Sequence, residues 1–133
     1  MKLGLLTPLF AIAAPFLVWP IEYYLPYPFV VEEIVKGLLV LLILKDHFSK
    51  SKSITLAVIA GALFAFSESV FYLINIFSTG NGNALFLRIL LTTPLHIITT
   101  LIIMLFGLKK RSYIVFGVIV SGIVHYIFNL LVA

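Results

Sequence analysis

Apolar stretches of about the length needed to cross a bilayer as a helix, roughly 20 residues, succeed one another along this chain with only short polar breaks. They fall at about 3–19, 29–44, 54–77, 84–106 and 113–132. A soluble domain carries charge on about a quarter of its residues to solvate its surface. Here 11% are charged and 62% are hydrophobic, with a mean hydropathy of +1.21. The expected fold is an all-α membrane protein, a bundle of about five transmembrane helices forming one domain over 1–133. The second stretch is short at 16 residues, but Lys45 can snorkel from one end and Tyr27 can anchor the other.

The first stretch contains Ala11, Ala13 and Ala14, which mimic a signal-peptide cleavage site. Pro15 and the apolar continuation from Phe16 to Trp19 argue for a retained helix. From Pro20 to Pro28 the chain reads as a rigid connector, with Trp19, Tyr23, Tyr24 and Tyr27 as an interfacial aromatic belt.

Alternating the five helices puts Lys2, Lys45, Lys50, Lys52, Lys109, Lys110 and Arg111 on one side, while the other side carries Glu22 and no basic loop residue. This asymmetry predicts a cytoplasmic N-terminus and a C-terminus outside, in a multi-pass protein of the cell membrane. The net charge of +4 therefore reflects topology and lipid contact rather than nucleic-acid binding. His47, among the loop lysines, reads as solvated. The absence of cysteine removes thiol chemistry.

The remaining polar residues lie inside the apolar stretches. An ionised side chain at the centre of a spanning helix costs about 2.5–3.5 kcal/mol on insertion scales, so each one asks for a partner or a purpose. At about 1.5 Å of rise per residue, Glu32, Glu33 and Lys36 fall within about 5–11 Å of the outer end of the second helix. The same reckoning puts Glu68, His125 and Asn129 in the outer half, Arg88 near the outer end of its helix and His96 close to the midplane. Four helices thus deliver polar groups to one slab.

Within each helix the spacing groups these residues. Lys36 can pair with Glu32 at i, i+4 or with Glu33 at i, i+3. Tyr72 stands one turn from Glu68. Arg88, Thr92 and His96 repeat every fourth residue, continued by Thr99 or Thr100, and Pro94 frees the carbonyl of Leu90. Gly117, Ser121, His125 and Asn129 also share a stripe, its first two members reading as close-packing residues. Three glutamates against Lys36 and Arg88 leave one negative charge, which invites one protonated histidine or glutamic acid.

Taken in order, Glu32-Glu33-x-x-Lys36, Phe64-x-x-x-Glu68-x-x-x-Tyr72, Arg88 with His96, and His125-x-x-x-Asn129 resemble the PrsW branch of the CAAX-protease and bacteriocin-processing superfamily of intramembrane proteases. Histidine usually stands at the Glu68 position in the CAAX-processing branch, and asparagine commonly follows that glutamate in the PrsW branch, where this chain has Ser69. The resemblance spans about 29–131. It implies a glutamic-type peptidase cutting a membrane-anchored protein, with Glu32 activating water and Glu33 and Lys36 supporting it. His125 with Asn129 would then stabilise the oxyanion, with Glu68 and His96 in the same site and Arg88 and Tyr72 supporting.

No cofactor is expected on this reading. Zinc ranks second, because two histidines and a glutamate form an accepted ligand set but lack a His-Glu-x-x-His spacing here. A noncatalytic scaffold of the same fold and a small proton-coupled transporter are the competing function classes. The sequence is silent on oligomeric state and on the physiological substrate.

Overall fold

The computed structural model describes residues 2–79 and 82–132; the side chains at 72, 74–79, 82, 84, 85 and 88 lie outside the description. A 3-10 turn at Leu3–Leu6 leads into α1 (Thr7–Glu22), followed by α2 (Pro28–Lys45), α3 (Lys50–Thr79) and α4 (Gly82–Lys109). A second 3-10 turn, Arg111–Tyr113, precedes α5 (Ile114–Val132). Pro28 opens α2 at a position where the missing amide hydrogen has no helical partner to lose. Lys45 and Lys109 lie in the last turns of α2 and α4, where a cation opposes the helix dipole.

The expected connector from Pro20 begins later. α1 continues through Pro15 and Pro20 to Glu22, a tolerance common in membrane helices, where other groups satisfy the carbonyls that proline leaves free. Four of the five helices are long and apolar enough to span a bilayer, over Leu3–Glu22, Lys50–Phe71, Ile89–Lys109 and Arg111–Val132. The expected fifth span, α2, does not qualify by composition, because its 18 residues include Glu32, Glu33, Lys36 and Lys45. Its polarity is inverted: Glu32, Glu33 and Lys36 are buried, while Val30, Ile34, Leu38 and Leu41 face outward. That arrangement suits a helix with polar groups in the bundle and apolar groups toward lipid.

The most extensive packing is α3 on α4, with α5 on α4 and α1 on α3; α2 touches α1, α4 and α5. Two glycines bring α4 close against the backbones of α3 and α5. A β-carbon at Gly61 would stand 2.7 Å from the His96 carbonyl oxygen, and one at Gly117 would stand 2.8 Å from the α-carbon of Ile103. Gly117 and Ser121 therefore act as the sequence suggests, with the Ser121 hydroxyl donating back to the Gly117 carbonyl at 2.8 Å. Val40, Ile43, Ala57, Ile103 and Met104 fill the core toward one end. Ala11, Ala14, Leu39, Ala60 and Phe64 fill it between α1, α2 and α3.

The basic loops gather at a single end. Gly4 N–H donates to the Asp46 carboxylate at 2.5 Å, and Arg111 donates to the Leu44 carbonyl at 2.7 Å. Lys2 and Lys52 both lie over the Phe48 ring, and His47 is exposed beside Arg111. The α1–α2 connector occupies the opposite end, with Tyr23, Tyr24 and Tyr27 all exposed.

Candidate active site

Glu32 and Glu33 are adjacent on α2, so their side chains leave the helix about 100° apart and meet different neighbours. Glu33 Oε1 accepts from Lys36 Nζ at 2.6 Å and from His125 Nδ1 at 2.8 Å. Lys36 also donates to the Thr99 hydroxyl at 2.9 Å and sits 5.3 Å from the centre of the Phe64 ring. Glu33 and Lys36 are each only 1% exposed, so this pair joins α2 to α4 and α5 away from solvent. An ionised Glu33 offers acceptors only, which makes Nδ1 the protonated nitrogen of His125.

Glu32 has no such anchor. His125 Nδ1 lies 3.7 Å from Glu32 Oε2, beyond hydrogen-bond range, and this oxygen is buried without a hydrogen-bond partner among the described residues. Across from it, His96 Nε2 lies 2.5 Å from Glu68 Oε2, joining α4 to α3. The His96 ring packs on Phe64 at 5.3 Å and meets His125 edge-on at 5.4 Å between centroids. The backbone carbonyl of His96 accepts from the Thr100 hydroxyl at 2.7 Å, a local bond that follows the proline at position 94 by one turn or so.

Five of the sequence candidates, Glu32, Glu33, Glu68, His96 and His125, thus meet in one cluster, with Lys36 beside them. Asn129 does not join it. One turn past His125 on α5 it rises about 6 Å toward the helix end, and it is exposed there. The side chains of Arg88 and Tyr72 lie outside the described residues. Two members of the site are not evident from the sequence. Thr99 is the cross-helix partner of Lys36, and Glu22 turns from α1 into the site. The period of four singles out Thr99 only as a choice with Thr100, and Glu22 falls in the stretch that reads as a connector.

Two openings reach the cluster. A cavity of about 220 Å³ lies at the α1–α2 end, between α1, α2 and α3, with Trp19, Glu22, Tyr23, Glu32, Glu68 and Phe71 in its wall. A lateral apolar groove of about 470 Å³ runs between α2 and α5, and Glu33 is the charged residue in its lining.

Glu32, Glu68 and His96 each offer a ligand atom within 4.8 Å of the others, and so do Glu32, Glu33 and His125. In the second set Glu33 Oε1 and His125 Nδ1 are already bonded to each other. The first retains an unpartnered carboxylate oxygen on Glu32, and His96 Nδ1 is likewise buried without a partner among the described residues. Carboxylate and imidazole donors in this number suit a catalytic divalent metal such as zinc. These three groups come from α2, α3 and α4, which is why no linear motif displays them.

A buried carboxylate–histidine cluster thus lies inside a bundle in which four helices are long and apolar enough to span a membrane. A family model described as PrsW family intramembrane metalloprotease matches residues 24–133, and the chain belongs to that family. It is accordingly a multi-pass membrane protein of the intramembrane protease class. No curated protein and no solved structure matches the chain. The family description stands against the sequence expectation of metal-free chemistry, and neither a scaffold nor a transporter gains from it.

Proposed function

We propose that this protein is an intramembrane endopeptidase that hydrolyses a peptide bond of a membrane-anchored protein, with Glu32 as the base. The observation that carries this reading is the contrast between neighbouring carboxylates. Each keeps a buried Oε2 without a partner among the described residues, but Glu33 is held through Oε1 by Lys36 and His125, whereas Glu32 makes no such bond and lines the cavity. A general base must reach the water it activates, and of these two carboxylates Glu32 is the one that lines the cavity.

In this mechanism Glu32 takes a proton from water as the water oxygen bonds to the scissile carbonyl carbon. His125 in its doubly protonated form, oriented through Nδ1 by Glu33, donates from Nε2 to the developing oxyanion. Glu32 then returns its proton to the amide nitrogen, the C–N bond breaks, and an acid and an amine are released. Lys36 and Thr99 keep Glu33 and hence His125 in position, and Glu68 orients His96.

Glu32, Glu68 and His96 are the residues that would hold a metal, which when bound would supply Lewis-acid polarisation and an activated water. The family description and the grouping of these three residues favour this second reading of the same site. The distribution of basic loops supports an outer-leaflet site in a cell-membrane protein with a cytoplasmic N-terminus. The motif order supports membership of the wider CAAX-protease and bacteriocin-processing superfamily.

The test uses the purified full chain in liposomes with a single-span reporter in water enriched in oxygen-18. The expected result is an internal cut with the heavy oxygen in the new carboxyl terminus. An intact reporter across a panel of spans, with the protein folded, overturns the reading.

A further inference from the structure

The cavity at the α1–α2 end contains a feature that peptide-bond chemistry does not use. Glu22, from α1, turns its carboxylate inward beside Glu32, and its Oε1 is buried with no hydrogen-bond partner among the described residues. Glu32 is 8% exposed, and its Oε2 is unpartnered among the described residues as well. Acceptors buried this way are costly unless a donor arrives. Opposite them, Trp19 stacks on Phe71 at 5.9 Å and 11°, giving the cavity a flat aromatic wall.

We propose that this cavity is a specificity subsite for a cationic side chain of the substrate, a lysine or arginine close to the scissile bond. The buried Glu22 oxygen satisfies an ammonium or guanidinium through a charge-assisted hydrogen bond, the Glu32 carboxylate in the same wall adds charge attraction while its oxygen stays with the water, and the aromatic faces add cation–π attraction. A bare metal ion fits the Glu22 side less well, because Glu22 does not join the groups whose ligand atoms gather within 4.8 Å. The spread-out acceptors match a larger cation. At about 220 Å³ the space is below the roughly 300–1,000 Å³ of pockets for whole small molecules, and suits one side chain. Trp19, Glu22 and Tyr23 precede the segment matched by the family model, so the selectivity belongs to this chain's own first helix.

Calling the cation a substrate side chain rests on the peptidase reading; the cation site itself does not. Trp19 is the single tryptophan of the chain, so its fluorescence reports on the cavity directly. The full chain in detergent is titrated with acetyl-lysine methylamide and, as a neutral isostere, acetyl-norleucine methylamide. The expected result is a saturable change with the lysine probe alone, its affinity about tenfold weaker in Glu22→Gln and largely kept in Glu22→Asp. In parallel, reporters carrying lysine or methionine beside the cut are compared by kcat/KM. The lysine preference is expected to be about tenfold and to fall toward parity in Glu22→Gln. Equal response to both probes, or a lysine response unchanged in Glu22→Gln, overturns the subsite. Lysine binding without cleavage of any reporter retains the cation site and overturns the peptidase reading instead.

Discussion

His125 Nδ1 lies 2.8 Å from Glu33 Oε1, so one carboxylate oxygen ties α5 to α2 across 92 residues of sequence. The same oxygen accepts from Lys36 at 2.6 Å. This shared atom separates the two neighbouring glutamates by role. Glu33 ties the helices and the imidazole together, and in the proposed mechanism Glu32 is the base.

Removing one member of the buried Glu33–Lys36 pair strands the other charge. Glu33→Gln and Lys36→Met are each expected to destabilise the bundle by about 3–5 kcal/mol. The double variant should lose clearly less than the sum, because no unpaired charge remains. Unfolding in mixed micelles, with all four proteins in one titration series, checks this. Additive losses would mean that the two side chains are not coupled.

The contact of Gly61 with α4 sets the height of His96. A methyl group there would meet the His96 carbonyl at 2.7 Å, so Gly61→Ala should push α4 outward, cost about 1–3 kcal/mol and slow cleavage. A β-carbon at Gly122 would meet nothing within 4 Å, and Gly122→Ala should be neutral or stabilising by up to about 1 kcal/mol. Melting temperatures and reporter cleavage of the two variants, measured side by side, separate packing at Gly61 from a general glycine effect.

Asn129 is exposed, one turn beyond the cluster. Asn129→Ala is therefore expected to stay within a few-fold of wild type in cleavage, while His125→Ala falls by about 100-fold or more. Steady-state kinetics on one reporter decides. Equal losses would return Asn129 to the reacting groups.

Much of this is legible in the sequence because depth along a helix is arithmetic. Counting residues from each loop brings Glu32, Glu33, Glu68, His96 and His125 to one level, and the structure joins those five. Azimuth and helix ends are harder. Asn129 shares a stripe with His125, yet one more turn carries it out of the cluster. Glu22 is hidden because Pro20 reads as a break, while α1 in fact runs through it to Glu22 and turns that carboxylate inward. Lys36 has Thr99 as a partner on another helix, a pairing no spacing along α2 can reveal. The α2 helix shows the same limit: its charges identify a site, but only packing shows that they point inward.

The grouping of Glu32, Glu68 and His96 makes metal dependence measurable at the same site. On the second reading, prolonged chelation should abolish cleavage, zinc should restore it, and His96→Ala should weaken metal retention measured by elemental analysis. Cleavage that survives chelation by a protein free of metal would leave Glu32 acting on water without a Lewis acid.

The most direct test of the account is cleavage by Glu32→Gln at matched folded fraction. Glu32 Oε2 has no hydrogen-bond partner among the described residues, so the amide should leave the melting temperature close to wild type. Loss of the base should lower kcat by about 100-fold to 10,000-fold. A folded Glu32→Gln protein that cuts the reporter at the wild-type rate would contradict the assignment of Glu32 as the group that activates water.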